Sequence, residues 1–489
     1  MAVPRTVAVE RDLVTGSDGR RGPAGQRATA GGRAVPLDLS RRRRIHLVGI
    51  GGAGMSAYAS VLAAMGHRVT GSDLKASPGM DRLRAAGIDV QIGHRSDHVA
   101  GSDVVAVSSA VSDTNAEVVE AHRLGIPVVS RAELLAAIAA LRRVAAVSGT
   151  HGKTTTTSML SLVLVEAGIR PSFLVGGDVN EIGTNAVWDD GDWLVVEADE
   201  SDGTFLHLAP AIAVVTNIEA DHLEHYGSFS ALVAAFDAYA SAASGHVVVN
   251  ADDPEAAALG RRHHAVTAGL DPGADYRVER RSSGPGTPAF TVHHGGAVVA
   301  EIQLAVPGAH NVANAAVAVA AAHQAGAGFE AAERALARFA GVARRFEARG
   351  EVDGVRLVDD YAHLPAEVAA TIAAARDGHA GRLVVVFQPH RFTRTATLAD
   401  RFGPAFAGAD VVVVTDVYPA GEPVVPGVTG RLVADAAVAA VPDADVLYVG
   451  ERHELPAVVA ALLRPGDLCI TMGAGDITTL ADELRSARR

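Results

Sequence analysis

Cysteine is nearly absent from this chain: Cys469 stands alone among 489 residues. A single thiol closes no internal disulfide, so nothing points to an oxidising compartment, and within "DLCITMGAG" it reads as a small apolar strand residue. An excess of positive charge is missing too. The net charge of -13 argues against a general nucleic-acid binder, whose footprint is a basic face. No apolar run reaches the roughly 18–20 residues of a membrane helix. Residues 1–44, rich in Arg and Gly and ending in "SRRRR", lack the apolar core of a secretory signal and read as a disordered basic tail. These absences leave a cytoplasmic globular chain, with neither nucleic acid nor membrane as a partner and its oligomeric state open.

What is present is length and alternation. A chain of 489 residues exceeds what one hydrophobic core organises, so two or three domains are expected. From Ile45, short β-rich runs alternate with helical patterns: "IHLVGI", "RVTGSD", "VVAVSSA" and "PVVS". The series restarts at "RVAAVSG" and continues through "WLVVEADES", "IAVVTNIEADH" and "HVVVNADD". It restarts again with "LVVVFQPHR", "VVVVTDVYPAG", "DVLYVG" and "DLCITMGAGD". Strand–helix alternation of this kind builds parallel, doubly wound sheets. The expected fold is α/β in three domains: a Rossmann-like N-terminal domain over 45–140, a central P-loop ATPase-type α/β domain over 141–342 and a C-terminal Rossmann-like α/β domain over 343–489. Short strand-like pieces between Gly and Pro turns from Asp275 to Val306 suggest an antiparallel insertion.

Two glycine-rich turns carry the chemistry. "GIGGAG" fits G-x-G-x-x-G through Gly49, Gly51 and Gly54, and Asp73 lies about twenty residues on, at the end of the next strand. Glycine there lets backbone approach a pyrophosphate at a helix N-terminus. The geometry does not separate NAD from a UDP-sugar. "SGTHGKTTT" is a second phosphate loop, but the first glycine of G-x-x-x-x-G-K-[ST] falls on Val147. This predicts a tighter variant in which the amides of Gly149 to Thr154 face phosphate, Lys153 adds charge and the Thr154 hydroxyl reaches Mg²⁺. Downstream, "VVEADESDGTF" ends one strand with Glu197, Asp199, Glu200 and Asp202, and "VVTNIEADH" ends the next with Glu219, Asp221 and His222. Ligands gather beyond the carboxyl ends of such strands, and carboxylates there can hold the cations that bridge phosphates.

In order along the chain, "GIGGAGMS", "SGTHGKTTT", "EADESD", "NIEADH", "HNVANAAVA", "RRFE", "DDYAHLPAE" and "QPHRFTRT" resemble the Mur ligases of peptidoglycan synthesis, in the branch that adds alanine. The resemblance spans about residues 45–480 and explains two nucleotide-type loops in one chain, one for a UDP-sugar and one for ATP. It implies ATP-dependent joining of L-alanine to the carboxylate of UDP-N-acetylmuramate, with Mg²⁺ as cofactor. It implies that Gly149, Thr150, His151, Gly152, Lys153, Thr154, Thr155, Asn311, Asn314, Arg345 and Asp360 meet ATP. Thr154, Glu197 and His222 would hold metal, with Lys153, Glu197, His222 and Arg345 as the catalytic set. Gly49, Gly51, Gly52, Gly54, Asp73 and Ser108 would bind the UDP-sugar, and Tyr361, His363, Arg391 and Arg394 the amino acid. Leu364 and Ala366 depart from the family's DDY-[GA]-HHPTE pattern, which touches the detail of the third-domain site. The competing readings are an NAD-dependent oxidoreductase, a non-catalytic nucleotide sensor, and a ligase that recycles a peptide onto the same sugar.

Overall fold

The computed structural model describes residues 37–281 and 288–487. Of the segment read as a tail, residues 1–36 lie outside the described residues. The rest of it is held: Leu39 packs into the core, and Arg44 opens the first strand with its amide donating to Asp103 Oδ2 at 2.7 Å. Among the described residues no helix is long and apolar enough to cross a membrane.

Three sheets follow one another along the chain. The first is all parallel, in spatial order Asp89–Ile92, Arg68–Asp73, Arg44–Val48, Val104–Val107 and Val128–Ser130. The order reverses at Arg44–Val48, and a doubly wound sheet opens its binding crevice beside such a reversal. The "GIGGAG" turn leaves that strand: the Gly49 and Ile50 amides donate to Ser72 O at 2.8 and 3.0 Å.

The second sheet has ten strands, centred on Ile212–Val215, Arg143–Ser148 and Trp193–Glu197, which are parallel and buried. Its valine-rich runs suit a sheet covered on both faces. The expected antiparallel insertion is there, as Tyr276–Arg280, Ala289–His294 and Ala297–Gln303, extending one edge of this sheet. The helix Lys153–Glu166 packs against the alanine-rich helix Ala309–Gln324. Two buried serine hydroxyls inside the first helix are satisfied locally, Ser158 Oγ donating to Thr154 O and Ser161 Oγ to Thr157 O, both at 2.7 Å, whereas the buried Thr156 hydroxyl has no partner.

The third sheet runs Glu347–Val352, Val355–Asp360, Leu468–Met472, Leu383–Phe387, Val411–Thr415 and Asp445–Val449, with only the first of these antiparallel. Cys469 is buried in its core and burial pushes the thiol up to about 12, so it is inert at neutral pH.

Behind the first glycine turn, the fully buried Glu117 carboxylate ties several elements together. It accepts from Ser72 Oγ at 2.5 Å, His98 Nδ1 at 2.6 Å and the Arg95 amide at 3.2 Å, with His46 Nε2 at 3.5 Å. Burial alone would raise its pKa; the His46, Ser72 and His98 side chains and the Arg95 amide outweigh burial and hold it at about 2, against an ordinary 4.5. A depressed folded-state pKa stabilises above the unfolded value and is lost as pH falls toward the folded one. Glu117→Gln is therefore expected to lose on the order of 3 kcal/mol at pH 7. Chemical unfolding should show that gap closing below about pH 4.5; a gap independent of pH would contradict the assignment.

Candidate active site

The strand Arg143–Ser148 runs straight through Val147, which is buried and paired in the sheet, so no glycine is needed where the common phosphate-loop pattern has one. The loop is only Gly149–Gly152, and the helix begins at Lys153. Gly149 has φ +140°, and a Cβ there would collide with the Thr216 hydroxyl. Gly152 has φ +78°, and its Cβ would sit 2.5 Å from Asn314 Oδ1. Both positions thus exclude a side chain.

One expectation for this loop is corrected. The Thr150 amide donates to Asn217 O at 3.1 Å and the His151 amide to Asn217 Oδ1 at 2.8 Å, so Asn217 takes both. The helix start keeps its amides for an anion, from the N-cap Gly152 on, because an α-helix never satisfies them internally. Lys153 Nζ donates to Gly149 O at 2.7 Å, Thr150 O at 3.2 Å and Glu200 Oε1 at 2.9 Å. Burial would lower the lysine's pKa, but Glu200 and Asp199 beside it outweigh burial and raise it. The partner carboxyl of Glu200 is pushed up to about 7 by burial, only partly offset by Lys153.

Glu197 accepts from the Thr154 hydroxyl at 3.0 Å and from the Gly176 amide at 2.7 Å. His222, in a left-handed conformation with φ +53°, has Nε2 3.2 Å from Asp221 Oδ2 and 4.0 Å from Glu200 Oε1.

Two cavities meet around this loop. The larger, about 530 Å³, is lined by Gly54, Tyr58 and Arg131 from the first domain, by Thr150, Lys153, Thr154, Glu197, Asp199 and His222 from the second, and by Arg345, Tyr361, His363 and Glu367 from the third. The smaller, about 220 Å³, is lined by His151, Gly152, Thr154, Thr155, His310, Asn311, Asn314, Arg345, Asp360 and Glu367. Asn311 and Asn314 share one face of their helix and both face the smaller cavity, although Asn311 Nδ2 also donates to Pro307 O at 2.6 Å. Asp360 is buried, accepts the Phe346 and Ala362 amides at 2.7 Å each, and burial pushes its carboxyl up to about 6.

Other expected site residues sit further off. Of the first turn, Ala53 and Gly54 reach the large cavity; Gly49, beside Ser108, and Gly51 and Gly52 lie at the turn itself. Asp73 Oδ2 accepts the Gly51 amide at 2.8 Å, so one carboxylate oxygen braces the turn. Tyr361 and His363 line the large cavity; Arg391 and Arg394 are not among its walls. Arg391 starts the helix Phe392–Ala405 with φ +67°, and its buried Nε has no hydrogen-bond partner. Arg394 Nη2 approaches Asp221 Oδ1 at 3.8 Å, across from the third domain to the loop that carries His222. Leu364 is buried in the wall of the large cavity and Ala366 lines the small one, so both departures from the family pattern fall in cavity walls.

Sequence reading missed Asn217, Arg131 and Glu367, and named Glu200 only as one of four carboxylates, without its pairing to Lys153. Glu367 Oε1 lies 3.2 Å from His151 Nδ1, and Glu219 Oε2 lies 3.6 Å from His151 Nε2. Burial would lower the His151 pKa, but these two carboxylates outweigh it and raise it to about 9. The imidazole is therefore cationic at neutral pH. A cationic loop, acidic side chains and cavities shared by three domains suit phosphoryl transfer followed by bond formation between two other substrates.

Comparison with known proteins agrees. Residues 44–143 match the model of "Mur ligase family, catalytic domain", residues 147–322 that of "Mur ligase middle domain" and residues 344–475 that of "Mur ligase, glutamate ligase domain". The UDP-N-acetylmuramate–L-alanine ligase of Geobacter sulfurreducens is 46% identical over 440 residues, covering 89% of this chain and 95% of that protein. The enzyme of the same name from Kineococcus radiotolerans is 47% identical over 457 residues, covering 91% and 96%. Among solved structures, the UDP-N-acetylmuramate-alanine ligase of Thermotoga maritima superposes with a TM-score of 0.79 at 31% identity, covering 91% of this chain and 99% of that one. A murein peptide ligase from Psychrobacter arcticus gives 0.67 at 26% identity, covering 91% and 98%. This chain belongs to the Mur ligase family.

Proposed function

We propose that this protein joins L-alanine to the carboxylate of UDP-N-acetylmuramate, consuming ATP and releasing ADP and phosphate in the cytoplasm. What carries the reading is one juxtaposition: a single cavity is lined by Gly54 of the first domain, Lys153, Glu197 and His222 of the second, and Arg345, Tyr361 and His363 of the third. ATP takes the smaller cavity with its triphosphate toward Lys153. The UDP-sugar lies along the glycine turn with its acid pointing inward, and the amino acid enters beside Tyr361 and His363, with Arg391 and Arg394 behind them.

A carboxylate is a poor electrophile. Transfer of the γ-phosphoryl group to it gives an acyl phosphate; the amine of alanine then attacks and phosphate departs. Two unit charges about 4 Å apart repel by roughly 4 kcal/mol at an effective dielectric near 20, so anionic substrates need counter-charge to meet. Lys153 and the helix N-terminus supply it and favour the charge that spreads over the transferring oxygens. Holding both substrates in line supplies much of the remaining acceleration, and the walls that exclude water keep the acyl phosphate from hydrolysis.

Among the described residues no three His, Cys, Asp or Glu side chains gather into a metal cage. Mg²⁺ fits such a sparse set, because it binds through one or two carboxylates together with substrate phosphates and water. The buried Glu200 Oε2, which has no hydrogen-bond partner, leaves further acceptor capacity beside Lys153. Thr154, Glu197 and His222 would hold the ion, and when bound it would neutralise charge on the phosphates.

The test is phosphate release with ATP, UDP-N-acetylmuramate and a panel of amino acids plus a tripeptide. The expected result is release that requires both the UDP-sugar and alanine. Preference for the tripeptide would favour the peptide-recycling reading; saturable NADH binding without release would favour the oxidoreductase.

A further inference from the structure

We propose that Glu367 is a positioning residue that couples the ATP loop to the amino-acid-binding segment of the third domain. This rests on the ligase reading above. Its two oxygens face different partners. Oε1 meets His151 Nδ1 of the ATP loop at 3.2 Å and Arg345 Nη1 at 3.9 Å. Oε2 accepts the amides of His363 and Leu364 at 3.0 and 3.2 Å, fixing the turn that carries Tyr361 and His363.

Glu367 also stands in the wall of both cavities. Burial would raise its carboxyl; the His363 and His151 imidazoles and the Arg345 guanidinium outweigh burial and hold it well below the usual range. The His151 end is itself fixed, its amide donating to Asn217 Oδ1 and its other nitrogen facing Glu219. A shift of the loop around a triphosphate thus reaches the amino-acid segment through one carboxylate. His151, expected to touch nucleotide, acts here as the loop's arm toward the third domain.

Glutamine at position 367 separates this role from simple helix capping. Gln caps a helix N-terminus as Glu does, so Glu367→Gln keeps one acceptor oxygen for the His363 and Leu364 amides, which share Oε2 in the wild type, while removing the charge that meets His151 and Arg345. The expected result is a KM for alanine raised about tenfold, a lower kcat, and an unchanged KM for the UDP-sugar. His151→Gln should reproduce this. The double variant should be no worse than either single, rather than about a hundredfold down, because directly coupled residues are not additive. Additive losses, or an alanine KM unmoved by Glu367→Gln, would overturn the proposal. If turnover is too low to measure, small-angle scattering of the full chain with an ATP analogue decides: an expanded Glu367→Gln particle supports the coupling, and one as compact as wild type overturns it. Failure of the ligase reading would look different, since wild type itself would then release no alanine-dependent phosphate.

Discussion

Lys153→Ala should reduce kcat by at least about 10³-fold, on the order of 4 kcal/mol of transition-state stabilisation, while the protein stays folded. The ammonium has two settings available. Without nucleotide it bonds the Gly149 and Thr150 carbonyls and Glu200; with nucleotide it would serve phosphate oxygens instead. Its removal would leave Glu200 buried without a counter-charge, which is normally costly. Here Glu200 already titrates near neutrality, at about 7, with Lys153 pulling it down. Without the lysine it takes up a proton and stays neutral. The variant should therefore melt close to wild type by circular dichroism, and near-wild-type ligation would remove Lys153 from the reaction.

Glu197→Ala should cost about 10²-fold or more in kcat and shift the Mg²⁺ dependence of turnover to higher concentration. Glu197 holds the Thr154 hydroxyl on one oxygen and the Gly176 amide on the other. The substitution therefore removes a charge and also frees two groups that shape the loop. Glu197→Gln keeps an acceptor and isolates the charge; it should show most of the Mg²⁺ shift with a smaller loss of stability. A wild-type Mg²⁺ titration curve for both variants would place the ion elsewhere.

The parts legible in the sequence are those with a local physical cause. Buried central strands such as "LVVVF" and "VVVVT" announce themselves because a parallel sheet covered on both faces is apolar throughout. The glycine turn and Gly-Lys-Thr announce themselves because their backbones exclude side chains. The edge strand Glu347–Val352, "EARGEV", buries none of its residues and carries charges and a glycine, so nothing in its pattern resembles a strand. The hairpin of Ser172–Val179 and Thr184–Val187 is obscured likewise, its first strand holding "GGD".

At the site, the chemistry-bearing loops could be read but not their internal pairing. Four carboxylates stand in "EADESD", and only the folded geometry selects Glu200 for Lys153 and Glu197 for Thr154. Asn217 looks like the end of a strand, yet it occupies two amides of a loop far back in the chain. Glu367 reads as an ordinary residue near a helix start, and its partner His151 lies 216 residues away. Such contacts are set by how two sheets face each other, which no local pattern encodes.

In the proposed reaction the terminal phosphoryl of ATP is passed to an oxygen of the sugar-borne acid. Mass spectrometry of the phosphate released from UDP-N-acetylmuramate carrying heavy oxygen in its carboxylate tests this directly. One heavy oxygen is expected in each phosphate formed; phosphate carrying only the oxygen of solvent or ATP would rule out phosphoryl transfer to the acid.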